Sequence, residues 1–204
     1  MKKGILVAIV LVGVVGAAWY FFSGPTIKNY PPQGDTIVAF GDSLVQGVGA
    51  TEGNDFVSVL AREIGKPIVN VGKSGDTTAM ALARIDQALQ HDPDIVLVLL
   101  GGNDYLRRVP KEETFANLGQ IVTKFQEKGA VVLVLGVRGG LLRDNYEAQF
   151  KQFAKKYETA YVPNVLDGLI GTQTYMSDTI HPNDRGYVLV AEKVQSVLED
   201  FLSR

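Results

Sequence analysis

From Asp35 onward, short apolar runs rich in β-branched residues alternate with longer segments of helical periodicity. The runs at 36–40, 67–71, 95–100 and 131–135, with a weaker one at 160–162, are almost unbroken in hydrophobicity, the pattern of strands buried on both faces. Between them, 55–64, 77–90, 113–128 and 143–157 repeat apolar positions at helical spacing, and 184–202 closes the chain in the same way. Strands and helices in strict alternation predict right-handed βαβ crossovers, hence an α/β domain whose five-stranded parallel sheet is covered by helices on both sides. No internal repeat or low-complexity tract interrupts the alternation.

Residues 4–22 depart from this pattern, forming an apolar stretch of 19 residues, close to the roughly 20 that span a bilayer as a helix. Lys2 and Lys3 precede it and favour a cytoplasmic start, while Trp19, Tyr20, Phe21 and Phe22 suit the outer interface. The prediction is a transmembrane signal anchor over 1–22, an extended linker over 23–34 carrying Pro25, Pro31 and Pro32, and a folded domain over 35–204 on the extracytoplasmic side. The alternative is a signal peptide cut at a small-residue site within 15–18, which would release a secreted protein.

At 204 residues and 46% hydrophobic content, the chain supplies one substantial core. A net charge of −2 with scattered Lys and Arg offers no footprint for nucleic acid. The absence of cysteine removes thiol nucleophiles, disulfides and cysteine metal sites, and two histidines leave little for a metal centre. No metal or organic cofactor is expected.

Parallel sheets bind ligands beyond the C-terminal ends of their strands. Three loops share that rim here: Gly41-Asp42-Ser43-Leu44, residues 72–75, and Gly101-Gly102-Asn103-Asp104. A serine hydroxyl attacks a carbonyl only when a base takes its proton and preorganised donors meet the oxyanion. An isolated Asp-Ser after a strand is more often a helix N-cap, so the company of Ser43 decides. His181 lies in Asp178-Thr179-Ile180-His181-Pro182, where the carboxylate three residues earlier can fold back to orient the ring. His91 instead closes the helix at 77–90 and precedes a strand, away from the rim, which leaves His181 as the base. Asn103, behind two glycines, is either an oxyanion donor through its amide or a left-handed turn residue. Gly75, in Ser74-Gly75-Asp76-Thr77, can present its N–H in the same direction while Asp76 or Thr77 caps the next helix.

Taken in order, these four blocks resemble the SGNH subgroup of the GDSL hydrolases, and the resemblance covers essentially all of 35–204. Ser43 in Phe-Gly-Asp-Ser-Leu, Gly75 in Ser-Gly-Asp-Thr, Asn103 in Gly-Gly-Asn-Asp, and Asp178 with His181 in Asp-Thr-Ile-His-Pro match the blocks one by one. The second and third blocks are most similar to those of the bacterial thioesterase I, lysophospholipase L1 and arylesterase branch. The resemblance implies a flavodoxin-like three-layer α/β/α fold and a serine esterase acting on a small acyl ester, thioester or lipid. It also implies an oxyanion hole from the Ser43 N–H, the Gly75 N–H and the Asn103 amide.

The loop after Asn103 departs from that branch by running Tyr105-Leu106-Arg107-Arg108-Val109-Pro110. Leu106 and Arg107 are candidate substrate contacts there, the two arginines facing either an anionic headgroup or solvent, and Leu141 and Leu142, after Gly139-Gly140, belong either to an acyl wall or to ordinary core packing. Three rivals stand beside this reading. Gly72-Lys73-Ser74 evokes a phosphate loop but lacks the earlier glycine, with Pro67 standing in its place. A non-catalytic, membrane-tethered binding domain would share the fold. A deacetylase of O-acetylated cell-wall sugars would share the mechanism.

Overall fold

The computed structural model describes residues 26–137 and 146–202. Its centre is a five-stranded parallel sheet in the order β2-β1-β3-β4-β5. The strands are β1 (Ile37–Gly41), β2 (Ile68–Gly72), β3 (Ile95–Leu99), β4 (Val131–Leu135) and β5 (Ala160–Val162). This is the flavodoxin-like order, whose ligand crevice opens at the C-terminal ends of β1 and β3. Strands β1, β3 and β4 are buried along their whole length, as their unbroken hydrophobicity requires. The edge strand β2 departs from the expected burial on both faces: it is only partly covered, because one of its sides has no neighbouring strand.

The described helices are α1 (Ser43–Gln46), α2 (Phe56–Ile64), α3 (Thr78–Ala83), α4 (Asp86–Leu89), α5 (Gly102–Leu106), α6 (Lys111–Glu127), α7 (Tyr146–Lys156) and α8 (Asp184–Leu202). Helix α2 packs on α8, with Phe56 stacked on Tyr187 at 6.4 Å between ring centroids. Helix α3 packs on α6, and Phe115 of α6 meets Phe150 of α7 at 5.1 Å. With the central strands buried on both sides, these two groups form the outer layers of a three-layer domain.

Two expectations are corrected here. The single helix predicted over 77–90 is divided into α3 and α4, because the chain turns at Arg84 (φ −117°) and sends that guanidinium inward to the strand ends. The described part of the predicted extended linker, residues 26–34, is seated on the domain instead of standing off it. Ile27 packs against the core, the Lys28 N–H donates to Glu158 O at 2.8 Å, and Tyr30 meets Phe201 edge-on at 5.4 Å. Asn29, in the left-handed region at φ 64°, donates through Nδ2 to Gln126 O and Ala130 O at 2.8 and 3.0 Å. Side-chain bonds to backbone carbonyls carry no periodicity, so the composition of this segment read as unstructured. The predicted anchor over 1–22 lies outside the described residues; among the described residues no helix is long and apolar enough to cross a membrane.

Candidate active site

Strand β1 delivers Ser43 to the rim through a tight turn. A Cβ at Gly41 would collide with Leu99 O and Val45, and one at Gly72 with the backbone of Val45 and Gln46. Only with glycine at both places can α1 lie flat on the ends of β1 and β2. Asp42 caps this short helix by accepting the Leu44 N–H at 3.0 Å, so Ser43 is its first residue rather than its cap. Ser43 is 8% exposed, on the floor of a cleft.

The base arrives on the loop before α8. His181 Nε2 lies 3.0 Å from Ser43 Oγ, and its Nδ1 lies 2.6 Å from Asp178 Oδ2. The other oxygen of Asp178 accepts the Ile180 and His181 N–H groups, both at 2.7 Å, so the carboxylate is oriented by its own turn. Partial burial pushes the Asp178 carboxyl upward, but the His181 ring and these two N–H groups outweigh it and hold the carboxyl at about 2. An ionised Asp178 only accepts hydrogen bonds, so Nδ1 carries the ring proton and Nε2 is left as the acceptor for the Ser43 hydroxyl. Tyr187 OH donates to Val48 O at 2.7 Å, and Thr51 donates to Asp184 through both its N–H and its hydroxyl at 2.7 Å. These bonds tie the loop after α1 to the first turn of α8, which the His181 loop enters.

Asn103 sits in α5, which begins after Gly101 at φ +109°, a turn open to glycine. Its Nδ2 donates one proton to Asp76 O at 3.0 Å, leaving the second for another acceptor. Gly75 (φ +83°) forms the facing turn, and Thr77, not Asp76, caps α3 by accepting the Met80 N–H. Arg107 is exposed. It donates to Gly75 O at 2.8 Å and is not among the residues that line the cleft.

The cleft encloses about 390 Å³. Asp42, Ser43, Asn103 and His181 are in its floor, and Leu44, Tyr105, Leu106, Val137, Leu166, Ile170 and Ile180 make its walls apolar. Leu106 lines the cavity and is 56% exposed. Leu141 and Leu142 lie outside the described residues. Sequence reasoning missed the wall between Asn164 and Ile170, although a loop after β5 must share the rim of the other strands. His91 lies in the exposed turn before β3, apart from this cluster. Among the described residues no group of three metal-ligating side chains stands together.

Residues 39–189 match the GDSL-like Lipase/Acylhydrolase family, a span that includes every loop just described. The chain belongs to this family. The esterase TesA of Pseudomonas aeruginosa is 32% identical over 182 residues, covering 82% of this chain and 89% of its own. The arylesterase of Vibrio mimicus is 30% identical over 176 residues, covering 80% and 88%. Among solved structures, TesA superposes with a TM-score of 0.76 at 30% identity over 82% of this chain and 99% of that one. AlinE4, described as an SGNH-hydrolase family esterase, does so at 0.64 and 32% identity, over 84% and 97%.

One electrostatic feature of this GDSL chain lies directly beneath Ser43. Asp42, Asp76 and Asp104 are 3%, 1% and 0% exposed, so all three carboxyls are withdrawn from water. Asp76 is paired with Arg84, and Asp104 accepts the N–H and hydroxyl of Thr78. Burial, the largest influence, pushes the Asp42 carboxyl up to about 7; the Leu44 N–H opposes the rise, and Asp104 and Asp76 reinforce it. A folded-state value above the ordinary 3.8 favours the native state fully below that ordinary value, and the benefit is lost as pH rises to about 7. The shift corresponds to on the order of 4 kcal/mol. Asp42→Asn keeps an acceptor for the Leu44 N–H and removes the titration. Its unfolding free energy should change less than wild type between pH 5 and 8 and exceed it at pH 8; equal pH dependence in urea melts of the two proteins would contradict this.

Proposed function

We propose that this chain is a serine esterase in which Ser43 is the nucleophile, His181 the general base and acid, and Asp178 the group that orients His181. The observation that carries the reading is the hydrogen-bonded run from Ser43 through His181 to Asp178 at the floor of an apolar cleft. His181 Nε2 takes the hydroxyl proton as Oγ attacks the acyl carbonyl. The oxyanion is met by the Ser43 N–H, the Gly75 N–H and the second proton of Asn103 Nδ2. His181 then protonates the departing alcohol or thiol, and water, activated by the same imidazole, releases the acid from Ser43.

The relatives are named as an esterase and an arylesterase, and a third, from Escherichia coli at 29% identity, as thioesterase 1/protease 1/lysophospholipase L1. Apolar walls favour an acyl chain over the hydroxyl-dense ring of an acetylated sugar, so acyl esters, thioesters and lysophospholipids are the preferred class. Purified protein should hydrolyse aryl acyl esters faster than an O-acetylated sugar and should take one phosphonate on Ser43, read by peptide mass. A folded protein that neither turns over these esters nor accepts the phosphonate would instead be a binding domain.

Asn103→Ala tests the oxyanion donor. The expected result is a kcat lower by about a hundredfold to a thousandfold, with a smaller change in KM. A defect confined to KM would move Asn103 from catalysis to substrate binding.

The apolar segment at 4–22 supports attachment to a membrane, with the domain outside the cytoplasm. Lys28 and Asn29 bond to Glu158 O, Gln126 O and Ala130 O, all just before β4 or β5, whereas Ser43 follows the C-terminal end of β1. Residues 28 and 29 therefore sit at the end of the sheet opposite the cleft. Full-length protein should stay in the membrane pellet through high-salt and carbonate washes. A soluble form whose mature N-terminus is Ala18 or Trp19 would show a cleaved signal.

A further inference from the structure

Arg84 is buried and unused by the mechanism above, yet it touches the turns that carry Ser43 and Gly75. Its side chain is 9% exposed and its guanidinium lies 4.7 Å from the centre of the Phe40 ring. Nη2 donates to Gly41 O at 2.9 Å, on the turn into Ser43, and Nη1 donates to Val71 O at 3.0 Å, near the end of β2. Nε donates to the Asp76 carboxylate. Three of the five guanidinium donors thus join the last residue of β1, the end of β2 and the turn that carries Gly75. Asp76 passes the constraint on, since its carbonyl oxygen fixes the Asn103 amide at 3.0 Å.

Geometry of this kind matters more to an oxyanion hole than to a binding pocket. Donors stabilise the transition state only when they point at the place the charge develops, and an error of about 1 Å costs on the order of a hundredfold. Loops after three different strands have no covalent reason to keep their donors in register. A planar fork with three fixed acceptors supplies that reason, and a lysine ammonium, a point charge on a flexible stem, does not.

We propose that Arg84, acting through Asp76, is a positioning residue that holds the Gly75 turn and the Asn103 amide in register with Ser43. The proposal rests on the esterase reading above. Arg84 does not line the cleft, so its contribution is made to the transition state and not to the affinity for the ester.

The test uses the full-length protein and Arg84→Lys, which keeps the positive charge beside Asp76. A thermal melt checks that the variant is folded, and titration of Ser43 with a phosphonate counts active sites. Per active site, kcat on an aryl acyl ester should fall by about tenfold to a hundredfold with KM within about twofold. Affinity for a trifluoromethyl ketone, a mimic of the tetrahedral state, should fall by the same factor as kcat/KM. Combining Arg84→Lys with Asn103→Ala should cost less than the product of the single losses, because the Asn103 amide is one of the donors that Arg84 holds.

An unchanged kcat per active site overturns the proposal, as does a loss that multiplies fully with Asn103→Ala or that appears in KM alone. A drop explained entirely by fewer titratable sites also overturns it, since that is the signature of a merely structural ion pair. Failure of wild-type Ser43 to take the phosphonate would overturn the esterase reading itself; labelling of wild type together with an unaffected Arg84→Lys would overturn the positioning role alone.

Discussion

Ser43→Ala should leave a folded protein with no measurable ester hydrolysis, a loss of at least about ten thousandfold. Removing the nucleophile of another triad hydrolase costs about a millionfold in kcat, which sets the scale. The fold should survive because the substitution touches neither cap nor core. The carboxylate of Asp42 caps α1, and the Ser43 hydroxyl has its described bond with His181, across the cleft. An alanine at the first position of a short helix is well tolerated, so stability should move by less than about 1 kcal/mol. Circular dichroism and a melt report the fold, and a spectrophotometric ester assay reports the activity. Undiminished turnover by correctly folded Ser43→Ala would remove Ser43 from the mechanism; failure to fold would make it a structural residue of the β1 turn.

The parts of this site legible in the sequence are those set by short-range chemistry. Asp178 and His181 are three residues apart, and a carboxylate at that spacing closes on the backbone of its own turn, so their pairing follows from local geometry. Gly41, Gly101 and Asn103 are legible for a related reason, since a strand that ends in glycine at the rim of a parallel sheet permits close approach. The sheet itself follows from hydrophobic runs that only burial on both faces explains.

What was not legible depends on contacts between distant segments. The sequence leaves Arg107 between an anionic headgroup and solvent, and gives no sign that Gly75 O, 32 residues away in sequence, takes its guanidinium. Arg84 falls inside the helix predicted over 77–90, and its turn toward Gly41 O and Val71 O divides that helix in two. Asn29 in a proline-containing stretch gave no sign of the two carbonyls it reaches, about a hundred residues further on. The wall from Asn164 to Ile170 follows the weakest strand signal in the chain, so its loop was never placed on the rim.

The histidines provide the sharpest contrast between readings of this site. His181→Ala should lower kcat by at least about a thousandfold, because it removes the acceptor 3.0 Å from Ser43 Oγ and the proton that the leaving group must receive. His91→Ala should change kcat by less than about twofold, since that ring stands in an exposed turn before β3. Comparable losses from both would contradict the assignment. Acid stability tests the Asp178 carboxylate. The Asp178 carboxyl is held at about 2, below its ordinary 3.8, so the carboxylate that fixes the Nδ1 proton persists in the folded protein as pH falls, and its contribution to stability is lost only between those two values. Asp178→Asn should accordingly lose less unfolding free energy than wild type in urea melts as pH falls from 3.8 to about 2. Equal acid sensitivity of the two proteins would contradict a depressed Asp178 carboxyl.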